Sequence, residues 1–336
     1  MNDQPVASLS LDLDNKWAYL RAAGRNDWES APSYLPLAVE RIVDLLGEIG
    51  LPLTVFLVGR DCQSGADGDA IRRFGELRKW EAANHTWNHL PWMHAMSQSE
   101  VTNEIHQTHD AIGSLTGQTA VGFRGPGFSC PPSVLRVLAD AGYCYDASVF
   151  ATSMAPIARA VFLARTDLQG EQREKAKQLY GGFASMRQPN TPHRRVIDGD
   201  GSNQVLGEVP VTVMPWTRTP IHFSYLTFLA GYSIAAAKTY FRAALKLCRW
   251  SKVPPSLLLH PPDFLGQEDD PDMAYFPGMR LSRASKLAFM RWALRTFHEQ
   301  FDVQTISDQL RLCRVRDGHP ARDHSVLQPV TSVLHA

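Results

Sequence analysis

The regular alternation of strand-like and helix-like segments constrains the fold of this chain more than any other feature. Residues 53–58 form a continuous apolar run of the kind found in strands buried on both faces, and residues 36–49 before them repeat apolar side chains at helical spacing. About eight such alternations follow one another, which is the pattern of a parallel sheet with helices packed outside it. We therefore predict an α/β fold in the form of a distorted (β/α)7–8 barrel.

Most of the chain is predicted to form one domain. A length of 336 residues and a hydrophobic content of 44% suit a single barrel with a full core, which we place at residues 6–313. Residues 150–204 interrupt the alternation with several glycines and prolines, and we interpret them as an irregular insertion, or a lid over a site. Residues 314–336 are polar and unpatterned, which predicts a disordered tail.

Charge and cysteine content argue against some classes of protein. A formal net charge of +0 and a pI of about 7.2 give no basic surface of the kind that binds nucleic acid. The five cysteines lack CxxC spacing, which predicts reduced thiols rather than a disulfide framework or a zinc–thiolate site. No signal-peptide pattern is recognised, so a cytoplasmic location is expected.

One apolar stretch, residues 221–241, has the length of a membrane-spanning helix and carries a single charge in 21 residues. We do not predict a span, because glycine, serine and histidine interrupt the stretch and the barrel needs a helix at this position. A peripheral contact with a membrane surface, admitting a lipid-linked substrate, stays open as a hypothesis. The sequence does not indicate an oligomeric state.

Polar residues with catalytic or metal-binding side chains follow the predicted strands. Because the functional residues of α/β barrels gather at the carboxyl ends of the strands, these side chains are expected to lie close together. They are Asp12, Asp14, His85, His89, Arg124, Asp146 and His260.

His85 and His89 are spaced so that both imidazoles can share one face of a helical turn and converge on one metal ion. With Asp14 they form a His₂Asp set, and three protein ligands with open positions are typical of a catalytic rather than a structural site. The set favours one divalent metal, Zn²⁺ first, with Co²⁺, Ni²⁺ or Fe²⁺ also compatible. The alternatives are ordinary surface or core histidines and aspartates that cap the next loop.

The remaining candidates supply acid–base groups. Asp12, two residues before Asp14, would be free to act as a base, and the guanidinium of Arg124 could hold it ionised unless Arg124 only binds loop carbonyls. His260 is interpreted as a general acid that protonates a leaving amine, rather than as a buried structural histidine. Asp146 either pairs with a catalytic imidazole or caps a turn.

These residues resemble, in order and over residues 6–306, the motifs of the polysaccharide deacetylase superfamily (carbohydrate esterase family 4, the chitooligosaccharide deacetylase homology domain). The resemblance rests on Asp12-Leu13-Asp14, on His85-Thr86-Trp87-Asn88-His89, on Arg124-Gly125-Pro126-Gly127 and on Leu258-Leu259-His260. It implies a base at Asp12, metal ligands at Asp14, His85 and His89, a tether for the base at Arg124 and an acid at His260. The fourth motif departs from the family: Asp146-Ala147-Ser148 lacks the tryptophan that often follows, so Asp146 as partner of His260 stays open.

The predicted function is metal-dependent hydrolysis of an N-acyl group, chiefly N-acetyl, from an amino sugar or sugar conjugate, with metal-bound water as the nucleophile. Within the same resemblance, alternatives are a deformylase or deacetylase of a lipid-linked aminosugar and an amide hydrolase that opens cyclic ureides. A non-catalytic glycan-binding barrel is a third reading. The presence of both an acid and a base argues against it, because binding alone needs neither. Glu208 and His222 are interpreted as structural residues.

Overall fold

The computed structural model describes residues 4–63, 65–155, 187–197, 203–276 and 278–313, and within them nine strands form one sheet. Their order in the sheet is β6-β7-β5-β4-β3-β2-β1-β8, with β9 beside β1. All neighbouring strands are parallel except β6 and β7. The strands are β1 (Val6–Asp12), β2 (Leu53–Leu57), β3 (Trp80–Asn84), β4 (Gly122–Phe123), β5 (Tyr145–Asp146), β6 (His193–Ile197), β7 (Gln204–Glu208), β8 (Ser256–Leu259) and β9 (Asp302–Gln304).

Helices follow most strands, as the alternation predicted. We number the α-helices of the described residues α1 (Lys16–Ala22), α2 (Leu35–Ile49), α3 (Ala66–Arg72), α4 (Gln98–Thr116), α5 (Pro132–Asp140), α6 (Phe223–Ala230), α7 (Ile234–Trp250), α8 (Arg283–His298) and α9 (Ile306–Leu312). Every residue of β2 is buried, because apolar side chains cover the sheet on both faces. The main core joins β1, β2 and β8 to α2, α7 and α8 through residues such as Leu9, Ile42 and Phe241.

The barrel is distorted, and its ladder of strands is not closed within the described residues, since β6 and β8 are the two ends of the strand order. The chain beyond β7 nevertheless reaches β8. The backbone N–H of Thr212 donates to the carbonyl of Ser256 at 3.0 Å, and the N–H of Ser256 donates to Thr212 Oγ1 at 2.8 Å. The predicted α/β architecture, a distorted barrel, is therefore confirmed, with an open seam at this position.

One local prediction needs correction. The stretch predicted as irregular, residues 150–204, contains β6, which pairs antiparallel with β7 in a hairpin. The apolar stretch at residues 221–241 is divided between α6 and α7, and none of the described helices is both long and apolar enough to cross a membrane. The predicted tail at residues 314–336 lies outside the described residues.

Candidate metal centre and active site

The carboxyl edge of the sheet brings the candidate residues to one place. Asp12 ends β1, Asp146 ends β5, and His85, Arg124 and His260 each follow a strand directly. The backbone beyond the strands stays in register, because the N–H of His85 donates to Leu57 O at 2.9 Å and the N–H of Arg124 donates to Asn84 O at 3.0 Å. Their side chains therefore extend from the rigid edge of the sheet rather than from a free loop.

Three of these side chains converge. Asp14 Oδ1 lies 3.2 Å from His85 Nε2 and 3.0 Å from His89 Nε2, and the three potential ligand atoms lie within 4.8 Å of one another. Asp14 and His85 are buried, and His89 is partly buried. Although burial raises the pKa of the Asp14 carboxyl, the neighbouring imidazoles of His89 and His85 outweigh it and hold that pKa well below its usual range.

The two histidines do not share a helical turn, so that prediction is wrong. The segment after β3 is an irregular loop in which Thr86 and His89 have left-handed backbones, with φ of +64° and +52°. Side chains hold this shape: Asn84 Oδ1 accepts from the N–H of Thr86 at 2.9 Å, and Thr86 Oγ1 accepts from the N–H of His89 at 3.1 Å. The motif spacing brings the imidazoles together through this bent loop.

The hydrogen bonds of the cluster residues leave atoms that could bind a cation. His85 Nδ1 lies 2.6 Å from the carbonyl oxygen of Arg124, which can only accept, so Nδ1 carries a proton, and Nε2 is the ring atom that faces Asp14. Asp14 Oδ1 and both ring nitrogens of His89 are buried without a hydrogen-bond partner among the described residues. Acceptor atoms that face one another in a buried site repel unless a proton or a metal ion lies between them. One carboxylate and two imidazoles match the ligand preferences of zinc and similar metals.

Asp12 lies beside this cluster in a separate ion pair. Its Oδ1 accepts from Arg124 Nη1 at 2.6 Å, while Oδ2 lies 4.0 Å from His85 Nε2. Arg124 is fully buried; its Nη1 also donates to Ser10 Oγ at 3.1 Å, and its Nε donates to Ala147 O at 2.9 Å. The guanidinium therefore fixes one carboxylate oxygen of Asp12 and leaves the other facing the cluster.

His260 is on the other side of Asp12, with Nε2 at 3.9 Å from Asp12 Oδ2. Its Nδ1 lies 3.0 Å from Ser224 Oγ, and that hydroxyl donates to Asp263 Oδ2 at 3.1 Å. Because the single hydroxyl proton of Ser224 is used on Asp263, Nδ1 must be the donor to Ser224, which leaves Nε2 as the atom that exchanges a proton in the cleft. Burial raises the pKa of the Asp263 carboxyl, although the charge of His260 opposes this.

Asp146 makes other contacts. Its Oδ1 accepts from the N–H of Ser148 at 3.1 Å and from the hydroxyl of Ser148 at 2.5 Å. Burial and the neighbouring charge of Asp146 raise the pKa of Glu208 well above its usual range, and Arg195 Nε lies 3.2 Å from Glu208 Oε2. The carboxylate beside His260 is thus Asp263, and the contacts of Asp146 point to the loops after β4 and β5.

Sequence reasoning did not assign roles to Ser224 and Asp263. Asp263 had a signal, since an acid three residues after His260 can accept from its backbone N–H, as Asp263 Oδ2 does at 2.9 Å. Ser224 had none, because it is the second residue of α6 and contacts His260 only in the folded chain. His222, interpreted as structural, is buried with its ring 6.3 Å from that of His260, and burial together with the charge of His260 lowers the pKa of His222 to about 3.

Comparison with known proteins finds a family and one relative with similar sequences. A family model described as polysaccharide deacetylase matches residues 28–145, which include His85, His89 and Arg124. A chitin deacetylase from Pestalotiopsis sp is 26% identical over 102 residues, which are 30% of this chain and 34% of that protein, so the match spans about a third of the relative.

Two solved structures resemble the fold. A candidate polysaccharide deacetylase from Mycobacterium smegmatis is 19% identical with a TM-score of 0.59, covering 93% of this chain and 91% of that one. Puue allantoinase is 16% identical with a TM-score of 0.55 and the same two coverages, 93% and 91%. At these identities the likeness concerns the fold. The resemblance predicted from the motifs is confirmed, because the chain matches the polysaccharide deacetylase family in sequence over residues 28–145 and shares its fold.

Proposed function

We propose that this protein is a metal-dependent hydrolase that removes an N-acyl group, chiefly N-acetyl, from an amino sugar or sugar conjugate. One observation carries the proposal: a cluster suited to a metal ion lies next to a tethered carboxylate, and an oriented imidazole lies beyond that carboxylate. The family match supports a hydrolase of acylated sugars. A cytoplasmic location is part of the proposal and rests on the sequence alone.

Asp14, His85 and His89 would hold one divalent metal ion, with Zn²⁺ the first choice for two imidazoles and a carboxylate. When bound, the metal would polarise the acyl oxygen and acidify water at neutral pH. The donation from His85 Nδ1 to Arg124 O orients the ring so that Nε2 faces the metal position.

Asp12 is the proposed general base. Arg124 Nη1 donates to its Oδ1 at 2.6 Å, which holds the carboxylate in one orientation, and Oδ2 is free to take a proton from the attacking water. A carboxylate in this position beside the ligand cluster activates the nucleophile without itself serving as a ligand.

His260 is the proposed general acid. Its Nδ1 is committed to Ser224, so a proton on Nε2 is directed into the cleft, where Asp12 Oδ2 lies 3.9 Å away. Collapse of the tetrahedral intermediate requires a proton on the departing nitrogen, and Nε2 supplies it. Amide hydrolysis needs a base and an acid that face the same space, as Asp12 and His260 do.

The test combines metal content with product release. The purified protein should bind one equivalent of Zn²⁺ or Co²⁺ and release acetate from at least one member of a panel of N-acetylated amino sugars and oligosaccharides. His85→Ala should lose both properties, because a single missing ligand leaves only two of the three groups of the cluster. His106→Ala removes an exposed imidazole on α4 and should retain both.

The panel should also contain N-formylated amino sugars and allantoin. Release of acetate that disappears in His85→Ala but not in His106→Ala supports the proposal. Metal binding combined with ring opening of allantoin and no deacylation would replace the sugar substrate by a cyclic ureide. Failure to bind any metal after reconstitution would overturn the assignment of the cluster.

A further inference from the structure

Two arginines and two tryptophans form a stacked group beside the candidate site, and no role has been assigned to it. The guanidinium carbon of Arg21 lies 5.0 Å from the ring centre of Trp17 and 5.2 Å from that of Trp28. The guanidinium carbon of Arg60 lies 5.2 Å from each of the same two rings. The indoles themselves are 5.8 Å apart, so both cations share one pair of aromatic faces.

The group is on the catalytic edge of the sheet. Arg21 is in α1, which follows Asp14, and Arg60 comes three residues after the end of β2. Arg21 Nη2 donates to the carbonyls of Asn88 and His89, the latter at 3.2 Å, and the backbone N–H of Arg60 donates to Trp87 O at 3.2 Å. Both arginines therefore border the loop that carries the histidines of the cluster.

The positive charge of the group is not neutralised by an ion pair within the described residues. The two nearby acids have other donors. Asp61 Oδ1 accepts from Trp17 Nε1 at 2.8 Å, and Glu104 accepts from the backbone and side chain of Asn88 at 2.8 and 2.6 Å. Burial, followed by the charge of Arg60, lowers the pKa of Arg21 to about 10, although Glu104 opposes this shift.

The two guanidiniums differ in what their N–H groups do. The N–H groups of Arg21 donate to backbone carbonyls of the loop that carries His89, so Arg21 positions His89. The side chain of Arg60 is half-buried and makes no hydrogen bond to the described residues, while its guanidinium carbon lies over the rings of both tryptophans. A stacked guanidinium keeps its in-plane N–H groups free, and their spacing matches two oxygens of a carboxylate or phosphate.

We propose that Arg60, with Arg21 behind it, is a subsite for an anionic group, carboxylate or phosphate, carried by the substrate beside its N-acyl amine. The inference rests on the proposed function and deepens it, because it selects charged over neutral amino sugars. Arg60 is then a specificity-determining residue, and the tryptophans hold its guanidinium in one orientation.

The experiment compares three N-acetylated sugars that differ in charge: N-acetylglucosamine, its 1-phosphate, and N-acetylmuramic acid, which carries a carboxylate. In the metal-loaded enzyme, kcat/KM for at least one anionic sugar should exceed that for the neutral sugar by about 10- to 100-fold, the range of a charge-assisted hydrogen bond. Arg60→Leu should bring this ratio close to one, and Arg60→Lys should restore part of it. The control is Arg242→Leu on α7, which removes a guanidinium whose carbon lies 5.1 Å from the ring centre of Trp292. This variant should retain the wild-type ratio.

Calorimetric titration of the same three sugars separates this inference from the proposed function. If no sugar is hydrolysed, tighter binding of an anionic sugar in the wild type, lost in Arg60→Leu, still supports the subsite. Which anionic sugar is preferred distinguishes phosphate from carboxylate. A wild type that treats all three sugars alike, or an Arg60→Leu variant that keeps the preference, overturns the inference.

Discussion

The two histidine sites that flank Asp12 satisfy their polar atoms in opposite ways. On one side, the potential ligand atoms of Asp14, His85 and His89 face one another, and Asp14 Oδ1 and both ring nitrogens of His89 are buried without a hydrogen-bond partner in the described structure. On the other side, His260 has a complete relay through Ser224 to Asp263. A buried polar atom without a partner is costly, so the first side is suited to a cation, whereas the relay of His260 on the second side is already complete.

The largest effects should come from the two aspartates, which separate the role of ligand from that of base. Asp14→Asn is expected to weaken metal binding by at least about 100-fold, beyond the loss typical of changes around a metal ligand. Asp12→Asn is expected to retain the metal while turnover falls about 10²–10⁴-fold, because a general base is lost. Chelator competition measures the first and acetate release the second.

A thermal melt of each variant supplies the control for folding, since the neutral amide that replaces the Asp12 carboxylate would still face the buried Arg124. If Asp12→Asn loses the metal as Asp14→Asn does, both aspartates belong to the ligand set. Asp12 would then belong to the metal-binding side and would not separate it from the relay of His260.

Ser224→Ala removes the hydroxyl that links His260 to Asp263. His260 would lose the acceptor of Nδ1, and the loss of about one hydrogen bond is expected to lower kcat roughly 10-fold. KM and metal content should change little, because Ser224 is a positioning residue and does not contact the cluster. Ser224→Thr keeps the hydroxyl and should recover most of the activity. Equal damage by the Ala and Thr variants would show that packing, not the relay, matters at this position.

The sequence allowed the fold and the edge of the site to be predicted, because both depend on short-range patterns. The alternation of β2-like runs and α2-like periodicity indicates parallel strands, and functional residues of such folds lie at the strand ends. The β6–β7 hairpin escaped prediction because β6 begins His193-Arg194-Arg195, a polar composition acceptable only on a sheet edge.

The parts of the site that could not be predicted depend on the folded chain. The positive φ angle of the β-branched Thr86 has no local signal, and histidine, although more frequent at positive φ than most residues, does not by itself predict the angle of His89. Side-chain contacts from Asn84 and Thr86 impose both angles. Ser224 is 36 residues from His260 in sequence, so only packing of α6 against the loop after β8 reveals the relay. Arg21 and Arg60 likewise meet only through two tryptophans.

The smallest predicted effect is the contribution of His222 to the pH dependence of stability. This imidazole lies beside that of His260 and is kept neutral. Its pKa, lowered to about 3 by burial and by His260, lies below the ordinary value of 6.5, so the unfolded chain binds more protons than the folded one between these two values. Stability should therefore fall as pH drops through that window, by up to about 1.4 kcal/mol per pH unit from this residue. His222→Gln does not titrate, so urea unfolding from pH 7 to 4 should show a shallower decline than in the wild type. Identical slopes would mean that His222 is protonated in the folded protein, and a second charged imidazole would then lie beside His260.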